Sequence, residues 1–217
     1  DIRFGTVGPP IPGTRIRIAE DGEILMKGPQ IMKGYFGDPD ATRGAIDADG
    51  WLHSGDIGHL DDDGYLTITD RKKNLIVTAA GKNIAPQPIE ERIARSPFVD
   101  QVVVLGDNRK FPIMLVVPSF QAYRVALPGK IVTDEDRHEH RDSRALRELL
   151  ESDISPRIAG LARYERPKRT LIVSDTFSVA NGMLTPTLKV KRREIAARYA
   201  DRIDQLYAEA ESDAVRS

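Results

Sequence analysis

The sequence predicts an α+β chain in two parts: a small antiparallel β-barrel or sheet segment, then a segment with a short sheet flanked by helices. Three observations carry that expectation. Residues 1–69 alternate polar and apolar side chains between tight turns, as in Thr14-Arg15-Ile16-Arg17-Ile18 ahead of Glu20-Asp21-Gly22. Beyond Asp70, apolar residues recur at helical spacing: Leu146, Leu149, Leu150, Ile154, Ile158 and Leu161, then Ile195, Tyr199, Ile203, Leu206 and Tyr207. Between those patterns lie two continuous apolar runs, Val102–Leu105 and Ile113–Val117, joined by the hairpin residues 106–110.

Taken in order, Glu23-Ile24-Leu25-Met26-Lys27-Gly28 reads as the return strand of a first hairpin. Gly34, Gly37, Pro39 and Gly44 then break up the chain, and Gly50 precedes Trp51. Asp61-Asp62-Asp63-Gly64 predicts another hairpin turn, feeding Tyr65-Leu66-Thr67-Ile68-Thr69. Leu75-Ile76-Val77 predicts a short strand, and a helix starts at Ala85-Pro86-Gln87-Pro88-Ile89, where proline's missing donor does no harm. Pro156 is expected to kink or interrupt the helix that carries it. Leu171–Val173 predicts a third strand. The terminal amphipathic helix is expected to fray from Glu209 onward, and the run from Thr133 to Arg144 to be a solvated loop or helix start.

Composition narrows the function classes. Lys plus Arg number 32 against 33 for Asp plus Glu, so no overall field favours nucleic acid or an anionic surface. Any bound anion must be held by local cations. No apolar run approaches the about 20 residues a membrane span requires. Cysteine is absent, which removes thiol nucleophiles, disulfides and thiolate metal sites. A thioester made here would take its sulfur from a cofactor. The abrupt start at Asp1, without Met or signal peptide, suggests a fragment of a longer protein.

Three stretches carry candidate chemistry. Ser54-Gly55-Asp56-Ile57-Gly58 sets a carboxylate between two glycines, where backbone can approach a ligand closely. An ionised carboxylate accepts two hydrogen bonds at once and suits vicinal ribose hydroxyls, although alone such an Asp is an ordinary turn residue. Asp70-Arg71-Lys72-Lys73-Asn74 packs four charges into five residues, which by itself describes an exposed turn. In Asn181-Gly182-Met183-Leu184-Thr185-Pro186-Thr187-Leu188-Lys189-Val190-Lys191-Arg192, cations gather at the opening of a helix, an end whose dipole disfavours them. Lys189 is therefore expected to point off the helix toward an anion. His138-Glu139-His140 lacks further ligands, and no metal site is assigned.

Together Gly50-Trp51-Leu52-His53-Ser54-Gly55-Asp56, Asp70–Ile76 and Asn181–Arg192 resemble the carboxyl-terminal portion of an adenylate-forming enzyme, in particular a long-chain fatty-acyl-CoA synthetase. Gly22–Pro29, Met32-Lys33-Gly34-Tyr35 with Thr42, and Arg163–Lys168 extend the likeness over about residues 5–199. The resemblance implies that residues 1–70 are the distal β-subdomain of the large adenylation domain. It implies that residues 71–217 are a mobile cap domain, with a hinge near 70–73. Asp56 and Arg71 would bind the nucleotide, Lys73 would be the hinge, and Lys189 would be the adenylation lysine. The loop Ala79-Ala80-Gly81-Lys82-Asn83-Ile84-Ala85-Pro86 would enter for the second half-reaction, with Gly81 and Lys82 at CoA.

The implied reaction joins a fatty acid to CoA through an acyl-adenylate, using ATP, releasing AMP and needing Mg2+ held by the upstream part. The implied partners are those substrates and the rest of the adenylation domain, with no nucleic acid. A cytoplasmic protein is expected, and the reading admits peripheral membrane contact. The phosphate loop and acyl tunnel of such enzymes are not in this chain, so alone it is expected to be inactive. Two other readings share these motifs: a fatty acyl-AMP ligase that does not use CoA, and a non-catalytic nucleotide-binding module.

Overall fold

A computed structural model describes residues 2–126 and 144–216. It divides the chain into two compact units, Asp1–Leu75 and Ile76–Ser217.

The first unit is an antiparallel meander of four strands: β1 (Arg15–Ile18), β2 (Glu23–Lys27), β3 (Leu52–Leu60) and β4 (Leu66–Arg71), in the sheet order β1-β2-β3-β4. The β1–β2 and β3–β4 turns fall where Asp21-Gly22 and Asp61–Gly64 predict them, with Asp61 Oδ1 accepting the Asp63 and Tyr65 N–H groups. Between β2 and β3 the sequence reading has only breakers, whereas the chain forms a short helix, α1 (Pro39–Ala45). Asp38 caps it by accepting the Ala41 N–H at 2.9 Å, and Pro39 occupies the first turn. No residue of α1 is buried, which is why apolar periodicity does not reveal it. The large apolar side chains buried in this unit are Ile24, Leu25, Ile57 and Leu66. So small a core leaves much of the order to polar contacts.

A single 3₁₀ turn, Lys72–Asn74, follows β4. The second unit opens with the two-residue pair β5 (Ile76–Val77) and β6 (Asn83–Ile84), then α2 (Pro86–Ile93). Its main sheet has β7 (Val99–Leu105) antiparallel to β8 (Ile113–Pro118), which runs parallel to β9 (Thr170–Ile172). The helices are α3 (Phe120–Ala126), α4 (Arg144–Ile158), α5 (Arg192–Arg198) and α6 (Ala200–Arg216). Two apolar layers sandwich this sheet. Val102, Val104, Met114, Val116 and Ile172 pack with Ile89, Ile93, Leu146, Leu150 and Ile154 on one face. Val103, Ile113, Leu115, Val117 and Leu171 pack with Phe177, Ile195, Ile203 and Tyr207 on the other. Burial on both faces explains why these strands read as unbroken apolar runs instead of alternating ones.

Three helix expectations change. Helix α4 runs through Pro156 and stops two residues later at Ile158. So close to a helix end, the proline forfeits little beyond one backbone bond. The terminal helix is two helices, because Tyr199 leaves helical dihedrals (φ −108°, ψ 17°) while its hydroxyl donates to Asp175 at 3.2 Å. Instead of fraying at Glu209, α6 continues to Arg216. Lys110–Glu211 (2.8 Å) and Arg169–Asp213 (2.9 Å) pairs and the buried Ala210 hold its last turns. The run from Thr133 lies outside the described residues except for Arg144, which opens α4, and so does His138-Glu139-His140.

Candidate functional site

In the first unit the candidate chemistry sits on a distortion of β3. Opposite β2, Leu25 pairs with His53 but Glu23 pairs with Ile57, so Ser54-Gly55-Asp56 bulges out across from Ile24. Gly55 takes φ +70°, a conformation that side-chain-bearing residues adopt only at a cost. On the other side of the strand Asp56 stands opposite Arg71 of β4, with Arg71 Nε 2.7 Å from Asp56 Oδ1. The Arg71 side chain is 58% exposed and that of Asp56 25%, so both stay open to a ligand. An acceptor pair and a planar cation side by side suit a sugar diol next to a phosphate.

Beneath the bulge lies Glu23, whose side chain is only 4% exposed. Its Oε1 accepts the Gly55 N–H at 3.0 Å, and its Oε2 meets His53 Nδ1 at 2.8 Å and Lys72 Nζ at 2.9 Å. Lys72 also pairs with Asp21 at 2.7 Å. Burial pushes the Glu23 carboxyl up, but hydrogen bonds from Lys72, His53 and Gly55 outweigh it and hold the group below its ordinary value. Asp21 is likewise held low by the Lys72 ammonium, which is itself raised by Asp21 and Glu23. Sequence reasoning passed over Glu23 and Lys72. The available signal was a carboxylate directly before Ile24 and Leu25, inside a strand.

The 3₁₀ turn holds Lys73 with an exposed side chain. Its frame comes from buried Asp70, whose Oδ1 accepts the Arg71 N–H (2.7 Å) and the Asn74 amide (3.2 Å).

In the second unit Gly81 turns the β5–β6 connection at φ +72°, and a Cβ there would meet nothing within 4 Å. Thr78 closes this loop: its carbonyl accepts the Gly81 N–H (2.8 Å) and its hydroxyl the Lys82 N–H (3.1 Å). The Lys82 ammonium lies 5.9 Å from the centre of the Tyr164 ring.

Lys189 is not on a helix. It ends a three-residue hairpin loop in which Leu188 N–H donates to the Thr185 carbonyl and Thr185 N–H to the Lys189 carbonyl, both at 2.8 Å. Leu188 occupies the left-handed position of that loop at φ +60°, a place usually taken by glycine. The exposed Lys189 ammonium forms no ion pair among the described residues. Leu184, Leu188 and Val190 of the same hairpin line an open groove of about 600 Å³, together with Gln87 and Glu91 of α2 and Ala94 just past its end. Arg192 instead turns inward to Glu90 at 2.7 Å.

Residues 73–127 match the family model described as AMP-binding enzyme C-terminal domain. Among solved structures, the A-PCP didomain of carboxylic acid reductase from Segniliparus rugosus, in complex with AMP, superposes with a TM-score of 0.70 at 27% identity. The match covers 95% of this chain and 29% of that one. O-succinylbenzoate coenzyme A synthetase from Bacillus subtilis, also with AMP, gives 0.58 at 26% identity, over 88% and 35% of the two chains.

The particular relatives are fatty-acid–CoA ligases. Long-chain-fatty-acid–CoA ligase FadD15 of Mycobacterium tuberculosis is 37% identical over 95% of this chain and 34% of its own length. Human long-chain-fatty-acid–CoA ligase 6 is 38% identical over 96% and 32%. The chain thus spans about a third of the length of the curated relatives it matches.

Proposed function

We propose that this chain is the carboxyl-terminal part of an ATP-dependent, AMP-forming long-chain fatty acid–CoA ligase. The observation that carries the reading is identity of 37–38% to long-chain ligases along nearly the whole chain. In this reading residues 1–70 close the large adenylation domain, residues 71–217 form the cap, and the chain turns between them near 70–73. Exposed Ile2, Phe4, Ile11 and Phe36 support an upstream domain as partner, since a separate unit has little reason to leave such side chains in water.

Asp56 accepts the ribose hydroxyls of ATP and AMP, and Arg71 faces ribose and phosphate. In the first half-reaction the fatty acid carboxylate attacks the α-phosphorus, an acyl-adenylate forms and pyrophosphate leaves. Lys189, at the end of its hairpin and without an ion pair among the described residues, meets the charge that grows on the phosphoryl oxygens. Turning about Lys73 then withdraws Lys189 and brings the Gly81–Lys82 loop to the pantetheine arm of CoA, whose thiolate attacks the acyl carbon and expels AMP. Mg2+ is assigned to the upstream part on the family resemblance alone. We place the enzyme in the cytoplasm, a placement that admits peripheral membrane contact; no helix of the described residues is long and apolar enough to cross a membrane.

AMP release by the complete enzyme, measured with a long-chain fatty acid with and without CoA, tests the assignment. Strong stimulation by CoA is expected. Acyl-adenylate formation without stimulation would make the enzyme a fatty acyl-AMP ligase, and AMP binding without any turnover would leave a nucleotide-binding module. This chain alone should release no pyrophosphate.

A further inference from the structure

A carboxylate closed off from water inside a small sheet calls for an explanation, because burying an unsatisfied charge is expensive. Glu23 opens β2 beside Ile24 and Leu25, residues that fill the small core of the first unit. Its two oxygens divide between separate tasks. Oε1 takes the Gly55 N–H at 3.0 Å, within the segment that the β3 bulge pushes out of register with β2. Oε2 takes Lys72 Nζ at 2.9 Å and His53 Nδ1 at 2.8 Å, and these supply its counter-charge and its remaining donor. The charged groups facing this cluster are Asp21, bonded to Lys72, and Asp47, whose Oδ2 lies 3.9 Å from His53 Nε2.

Asp56 ends the bulged segment and stands opposite Arg71. Within it, the Asp56 N–H is held by the Ser54 hydroxyl at 3.0 Å, and the Gly55 N–H by Glu23. With a neutral group at position 23 the Gly55 conformation loses its charge-assisted tie, and the aim of the following carboxylate loosens.

We infer that Glu23 is a positioning residue for nucleotide binding, acting through Gly55 to preset the Asp56 carboxylate. This rests on the ligase reading above. Lys72, on the surface side of the pair, keeps Glu23 ionised in its closed site. No contact between Glu23 and the nucleotide is involved; its effect passes through Asp56 alone.

Calorimetric titration of the complete enzyme with AMP tests this, with a thermal melt of each variant. Glu23→Gln keeps the volume and one acceptor but removes the charge, and should raise the AMP Kd about tenfold, as the loss of one charge-assisted hydrogen bond does. Glu23→Asp, which restores the charge, should recover part of that loss. Combined with Asp56→Asn, Glu23→Gln should weaken binding no further than Asp56→Asn alone, since one variant acts through the other. If Glu23→Gln does not fold, Lys72→Met carries the test, because that side chain is half-exposed and its removal spares the core; its Kd should rise in the same direction. A lower melting temperature with an AMP Kd within twofold of wild type would reduce Glu23 to scaffold and overturn the inference. Multiplicative losses in the double variant would overturn it too. Wild-type enzyme that fails to bind AMP would instead defeat the ligase reading itself.

Discussion

Arg71 and Asp56 meet across the β3–β4 ladder at 2.7 Å, with Asp56 at the end of the β3 bulge. The pair is exposed enough that its own contribution to stability is small, about 0–1 kcal/mol. Its placement fits ligand binding better than scaffolding, because a bulge gives up ladder bonds to aim a side chain.

Asp56→Asn in the complete enzyme should therefore separate affinity from stability. AMP affinity should fall by about 10–100-fold, the range expected from hydrogen bonds to a charged group. The urea midpoint should hardly move. Unchanged AMP affinity would remove Asp56 from the site.

Lys189→Ala should slow acyl-adenylate formation by about 10²–10³-fold, the usual effect of losing one preorganised donor to developing charge. Release of AMP from supplied acyl-adenylate and CoA should stay near wild type. Separate assays of the two half-reactions read this directly, and equal losses in both would refute the division of roles.

Leu115 is fully buried in the middle of β8, packed in the layer that α5 and α6 cover. Leu115→Ala should cost about 2–5 kcal/mol, the range for emptying a closed core position. Urea unfolding followed by circular dichroism would show it, and a cost under about 1 kcal/mol would mean that the layer repacks freely.

The first unit should weaken in acid. Asp21 and Glu23 titrate below their ordinary values of 3.8 and 4.5, so their contribution is fully present above 4.5 and drains away as pH falls through the lowered values. Lys72 is raised, so its share persists up to 10.5 and is lost only as pH climbs beyond that. Trp51, the sole tryptophan, lies in this unit with Arg17 4.7 Å from its ring centre, and its fluorescence reports the transition. A urea midpoint as high at about pH 3 as at neutrality would contradict the linkage.

The parts of this fold that follow from local rules were open to reading from sequence. Asp21-Gly22 and Asp61–Gly64 fix their hairpins, and the apolar runs around Val103 and Leu115 fix strands β7 and β8, whose sheet is covered on both faces. What escaped depends on contacts far apart in sequence or on the absence of burial. Helix α1 hides because none of its residues is buried. Glu23 hides because its partners lie 30 to 49 residues away and no spacing rule joins them. The local geometry of Lys189 differs from the one its sequence suggests. The basic run suggested a helix start, whereas a type of hairpin loop with a left-handed Leu188 presents it.

The closing layer of the second unit has a consequence for biosynthesis. Strand β8 is complete by Pro118, but the helix that shields one of its faces, with Ile203 and Tyr207, follows more than eighty residues later. A chain growing from the ribosome must carry Ile113, Leu115 and Val117 bare through that interval, so chaperone capture or aggregation is most probable while α6 is still in the exit tunnel.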